Sequence, residues 1–106
     1  MVYPLTPVLL EALVLAVIDE EDAYGYVIAQ RLKNLASQKE SALYPMLKRL
    51  QLSGFLTTYD QPYQGRNRRY YRLTEDGKKQ LNFYRNEWQE FKAMTDDILI
   101  GGRKDG

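Results

Sequence analysis

Apolar residues recur at helical spacing in four stretches of the chain and at strand spacing in a fifth, set between the third and fourth. Between Lys39 and Gly54, residues Leu43, Met46, Leu47 and Leu50 fall at i, i+3, i+4 and i+7, one stripe of a helix. The opposite side carries Ser41, Tyr44, Pro45 and Lys48, with Arg49 at its edge and no acid. Ser37 and Glu40 have the spacing of a capping box, and Gly54 supplies the stop. Pro45 removes one backbone donor, which predicts a short or bent opening turn rather than a break. Two helices precede this one. The first, from Pro7 to about Ile18, is apolar around nearly its whole circumference and opens on Thr6-Pro7, an N-cap and a first helical position. A surface helix needs only one apolar stripe, so this one belongs in the core, against another chain, or both. The second spans roughly Ala23 to Ala36 with Tyr24, Ile28, Leu32 and Leu35 inward. Only a few residues separate it from the third, the tight crossing of a helix-turn-helix.

Beyond Gly54, Phe55 to Tyr59 is rich in strand formers and Arg68 to Leu73 is its natural partner, with turn chemistry at Pro62, Gly65 and Asn67. In the returning strand Arg69, Tyr71 and Leu73 share one face, and Arg68, Tyr70 and Arg72 the other. Four arginines lie within seven residues, from Arg66 to Arg72. Two readings fit them: a cationic hairpin facing phosphates, or an edge strand protected by charge against aggregation. Thr74, Glu75 and Asp76 then open a last helix. Its seam of Leu81, Tyr84, Trp88, Phe91, Thr95 and Ile98 follows a coiled-coil spacing up to the Gly101-Gly102 stop. A chain of 106 residues does not readily cover that stripe and the surplus apolar surface of the first helix, so a second copy is expected on Leu9, Leu13, Leu81, Tyr84, Trp88, Phe91 and Ile98.

Composition narrows the chemistry. The chain has neither cysteine nor histidine, which removes disulfides, thiolate chemistry, the usual general base and the commonest metal ligand. Its acids sit in turns and helix ends with no paired constellation, so no enzyme, cofactor or metal site is expected. The apolar run from Val8 to Ile18 is too short to span a bilayer and lacks the basic flank of a signal peptide. Net charge is only +1, but it is segregated. Residues 1–22 hold five acids and no Lys or Arg, whereas residues 23–73 hold nine cations against Glu40 and Asp60. Such a central basic segment suits a local phosphate-facing patch.

The fold class expected is mainly α with a two-stranded β wing, a winged helix-turn-helix followed by a long helix. The organisation reads as a winged-helix domain over 1–73, a dimerisation helix over 74–101 and a flexible tail over 102–106. The stretches LEALVLAVIDEEDAYGYVIAQRL, SALYPMLKRLQLSGFL and RRYYRLTEDGKKQL together resemble the PadR family of bacterial transcriptional regulators, from about Leu5 to Trp88. The length resembles the branch with a single C-terminal helix. That resemblance implies a cytoplasmic repressor, a homodimer whose last helix packs on the partner's first and last helices, and third helices in successive major grooves of a palindrome. It also places Trp88 where drug-sensing members carry a pore-lining tryptophan. Position 39 departs from the family pattern, with lysine where a small capping residue is usual.

On this reading Lys39, Ser41, Tyr44, Lys48 and Arg49 meet bases or nearby phosphates, and Arg66, Arg68 and Arg69 carry the wing onto the DNA backbone or into the minor groove. Two readings fit Trp88: a planar aromatic effector sits at Trp88 and Phe91, with Glu87 offering a counter-charge, or Trp88 packs as ordinary coiled-coil core and leaves no slot. The competing reading is a winged-helix module that binds protein and no DNA.

Overall fold

The computed structural model describes residues 3, 5–36 and 40–101. Four helices and one hairpin follow in order: α1 (Pro7–Glu20), α2 (Gly25–Ala36), α3 (Glu40–Leu52), β1 (Leu56–Tyr63), β2 (Arg66–Leu73) and α4 (Glu75–Leu99). The expected class, mainly helical with a two-stranded wing, is the class observed. Thr6 caps α1 by accepting from the Leu9 amide at 3.1 Å, with Pro7 in the first turn where its missing donor is harmless. One side of α1 supplies Val14, Leu15, Val17 and Ile18 to the core, which Ile28 and Leu32 of α2 and Leu43, Leu47 and Leu50 of α3 complete. All four stripe residues of α3 are buried. The helix runs through Pro45 without a break, while Ser37 and Lys39 lie outside the described residues.

The start of α2 differs from the sequence reading. Ala23 is not helical: its amide donates to the Tyr71 carbonyl at 3.2 Å, and the Tyr71 amide donates back to the Ala23 carbonyl at 2.8 Å. The segment before α2 therefore lies along β2 opposite β1. Tyr24 consequently faces the wing rather than continuing an inward helical stripe, and Leu35 is about half exposed at 48%. The inward side of α2 is Ile28, Ala29 and Leu32.

The hairpin is also longer than expected. Its turn is only Gln64-Gly65, with φ of 51° and 77°, the paired positive angles of a two-residue hairpin turn. Pro62 and Asn67 face each other in the ladder instead of forming the turn. β1 has one strand neighbour, a position that tolerates proline.

Two short connections fix how the wing meets the helices. Gly54, at φ 86°, ends α3 with the Phe55 amide donating back to the Leu50 carbonyl at 3.0 Å. Thr74 caps α4 by accepting from the Gly77 amide at 2.9 Å while its hydroxyl donates to the Gly54 carbonyl at 2.7 Å. Gly77 is buried, and a Cβ there would run into the Phe55 carbonyl and lie 2.8 Å from Leu73 Cδ1. Leu81, one turn on, joins the core, so the first turns of α4 pack with the elements before it. Gly77→Ala should lower stability by about 1–3 kcal/mol through overpacking, measured by urea denaturation. Unchanged stability would mean that Phe55 and Leu73 move aside freely.

Candidate nucleic-acid interface

Burial of one side of α3 directs the other outward, and Ser41, Tyr44 and Lys48 are all exposed there. The wing folds back beside α3 and leaves an open cleft of about 870 Å³ between them. Tyr44, Lys48 and Gln51 line it from α3, and Arg66, Arg68 and Arg69 from the wing. Tyr24 and Tyr26 close the end nearest α2. Asp60 is the only acid among the described lining residues; it stands opposite Arg69 in the ladder, 3.9 Å from its Nε. The cleft is thus cationic and rich in phenols and amides.

The eight positions singled out for DNA contact divide into groups. Tyr44, Lys48, Arg66, Arg68 and Arg69 converge on this cleft, whereas Ser41 is exposed on α3 outside its lining. Arg49 turns toward α1 and pairs with Glu11 at 3.0 Å, the carboxylate being only 18% exposed. That pair ties α3 to α1. Lys39 lies outside the described residues. Arg68 has a special environment: its guanidinium lies 4.5 Å from the Tyr24 ring centroid and 4.5 Å from that of Tyr63. Its Nε is enclosed without an acceptor among the described residues. Stacking on two rings, rather than edge-on hydrogen bonding, holds this arginine.

The sandwich continues along one face of the wing. Tyr24 meets Tyr70 edge-on at 5.3 Å, and Tyr70 stacks on Tyr59 at 5.5 Å with their planes 12° apart. Arg72 lies 4.8 Å over the Tyr59 ring. Asp22 closes the series, accepting from the Tyr59 hydroxyl at 2.7 Å and from Arg72 Nε at 3.1 Å. The hydrogen bond to Asp22 is the main reason the Tyr59 phenol titrates above its ordinary range, with desolvation and the Asp22 charge adding to it and Arg72 opposing. The hydrogen bond that Arg72 itself donates to Asp22, with the Asp22 charge, raises Arg72 further. Burial raises Tyr71 against the pull of Arg69.

The end of α1 and the segment after it form a junction of ion pairs. Asp19 reaches Arg85 of α4 at 3.4 Å, Glu20 reaches Arg31 of α2 at 3.1 Å, and Asp22 reaches Arg72 of β2.

A second surface lies between α1 and α4. Leu9 and Leu13 of α1, Leu35 of α2, and Leu81, Tyr84 and Trp88 of α4 enclose an open apolar groove of about 320 Å³. Phe91 lies beside it, its ring 6.1 Å from that of Trp88. Past the groove the seam is open: Phe91 is 57% and Ile98 85% exposed. Glu87 and Glu90 are exposed along the same helix.

Sequence reasoning missed Tyr26, Gln51, Asn67 and Asp60 of the cleft, and the tie through Asp22. The period-2 pattern around Tyr71 did carry a signal for the last, since a strand pairing at Ala23 puts Asp22 and Tyr24 on the side of Arg72 and Tyr70.

Among the described residues no helix is long and apolar enough to cross a membrane. The sequence profile of the Transcriptional regulator PadR-like family matches residues 14–82. The chain is 45% identical to smu.1704 of Streptococcus mutans UA159, whose crystal structure superposes with a TM-score of 0.89 over 100% of both chains. A PadR family transcription regulator from Clostridium difficile R20291 is 29% identical, with a TM-score of 0.77 over 85% of this chain and 97% of its own. An uncharacterised protein of Lysinibacillus sphaericus is 34% identical over 97 residues, 87% of this chain and 89% of that protein. The relatives with a stated role are transcriptional regulators and not enzymes. A winged helix with an outward cationic face on α3, matched by this profile over most of its length, places the chain in the PadR-like family of transcriptional regulators.

Proposed function

We propose that the protein acts in the cytoplasm as a homodimeric, sequence-specific DNA-binding repressor of a palindromic operator, relieved by a planar aromatic ligand. The observation that carries this reading is the cleft in which Tyr44 and Lys48 of α3 face Arg66 and Arg69 of the wing. In such an arrangement α3 enters the major groove, where Ser41, Tyr44 and Lys48 meet base edges or adjoining phosphates, and the wing arginines lie along the backbone. Lys39, just before α3, adds a phosphate contact. Arg49, engaged with Glu11, sets the tilt of α3 on α1.

The dimer reading is supported by the open seam. α4 is 25 residues long, yet only Gly77 and Leu81 are buried within its own chain. Trp88, Phe91, Met94 and Ile98 together form an apolar stripe longer than a soluble monomer ordinarily leaves in water. A second copy laid over this stripe and over Leu9 and Leu13 covers both surplus surfaces at once. Two facing Trp88 side chains then form walls for a flat ligand, with Glu87 and Glu90 supplying counter-charge for a cation. A ligand that favours one spacing of the two α3 helices over another shifts operator affinity by that difference alone.

Mobility shifts on operator and random duplex at increasing salt test the DNA reading. Affinity should fall steeply with salt, and Arg66→Ala with Arg69→Ala should weaken both duplexes alike and reduce the salt slope by about one per lost phosphate contact. An unchanged slope would remove the wing from the interface. Phe91→Lys should dissociate the dimer in sedimentation and abolish operator binding with it; a wild-type monomer at micromolar concentration would end the dimer reading. A planar aromatic cation should quench the single tryptophan with saturation. Trp88→Ala should lose most of that ligand affinity, at least about tenfold, while the dimer persists.

A further inference from the structure

We infer that Asp22 is a positioning residue for DNA binding: acting through Tyr59 and Arg72, it holds the wing at the angle in which Arg66 and Arg69 face the α3 cleft. This rests on the DNA-binding reading above and assigns a role to a residue remote from the recognition side of α3. The geometry starts at the Ala23–Tyr71 pairing, which brings the segment before α2 alongside β2 and puts Asp22 opposite Arg72. One carboxylate oxygen, Oδ2, receives both the Tyr59 hydroxyl from β1 and Arg72 Nε from β2. Asp22 thus grips both strands of the hairpin from outside it.

From that grip the side chains run toward the wing tip without interruption. Arg72 covers Tyr59, Tyr59 stacks on Tyr70, Tyr70 meets Tyr24, and Arg68 lies between Tyr24 and Tyr63. Tyr63 is the last residue of β1 before the turn, directly opposite Arg66. A two-stranded hairpin has little stability of its own and takes its orientation from what it packs against. Here the base of the hairpin packs on α1, α3 and α4, and along its length it packs on the Asp22–Tyr24 segment, whose charged anchor is Asp22.

The sign of the effect separates positioning from simple charge. Asp22→Asn removes an acid from a protein that binds a polyanion, so electrostatics alone predicts tighter binding. Positioning predicts the opposite. Asp22→Asn should bind a random 30-base-pair duplex roughly tenfold more weakly, the loss expected when a charge-assisted anchor is removed. Asp22→Glu, which keeps the carboxylate, should recover most of the affinity. Amide exchange in the absence of DNA supplies an independent readout: in Asp22→Asn the Ala23 and Tyr71 amides should exchange faster while those in the middle of α3 do not change. Tyr59→Phe leaves net charge untouched and should weaken binding by about threefold. Should Asp22→Asn lower global stability in urea, Tyr59→Phe of wild-type stability decides: weaker binding supports the assignment and unchanged binding overturns it. Wild-type binding with Asp22→Asn as tight or tighter, or weaker without faster exchange at Ala23 and Tyr71, also overturns it while leaving the DNA reading intact. Failure of the wild type to bind duplex at low salt refutes the DNA reading itself.

Discussion

Leu43, Leu47 and Leu50 are fully enclosed between α1, α2 and the base of the wing, and their burial fixes which side of α3 any ligand can reach. Truncating one such leucine to alanine typically costs about 2–5 kcal/mol, a large share of a small domain's total of about 5–15 kcal/mol. Rotation of α3 about its axis would expose several of these residues at once. The outward display of Ser41, Tyr44 and Lys48 is therefore a consequence of core packing, needing no polar contact to hold it. The Glu11–Arg49 pair adds a polar tie at the edge of the same helix.

Charge organises what the core does not. Arg31, Arg49 and Arg72, three cations of the basic middle segment, are each paired with an acid from the first 22 residues. The segregation visible along the chain is thus partly neutralised in space, and the exposed cations concentrate where α3 and the wing converge. Pairs this exposed contribute only about 0–1 kcal/mol apiece. Their effect is geometric: Asp19, Glu20 and Asp22 connect the end of α1 and the segment after it to α4, α2 and the wing.

The fold was legible because helical periodicity, caps and stops agreed along most of the chain. The α3 stripe was read residue for residue, and Thr6, Gly54 and Thr74 all act at the element ends assigned to them. The reading failed where partners distant in sequence decide. Tyr24 has helical spacing to Ile28, yet a strand pairing at Ala23 prevails; Pro62 and Asn67 look like turn residues, yet Gln64-Gly65 suffices for the turn. Side-chain partners were the least legible feature. No local pattern indicates that Arg49 turns back to Glu11, 38 positions earlier, or that Arg68 lies between two tyrosine rings. The exposed stripe of α4 was legible in the same way as the core, since both follow from the period of apolar residues.

Only Thr74 separates the last residue of β2 from the first residue of α4, and it is tied to both Gly54 and Phe55. Hairpin and helix are consequently joined without slack, like the two arms of a bell crank. A helix of this length extends about 37 Å, so tilting it by about 5° at the joint moves its far end by about 3 Å. Read in reverse, a displacement of that size at the free end of α4 is geared down to a small rotation where the wing begins. With Gly77 seated against the Phe55 carbonyl, the first turn of α4 lies directly on the base of the wing, so the lever has its fulcrum there.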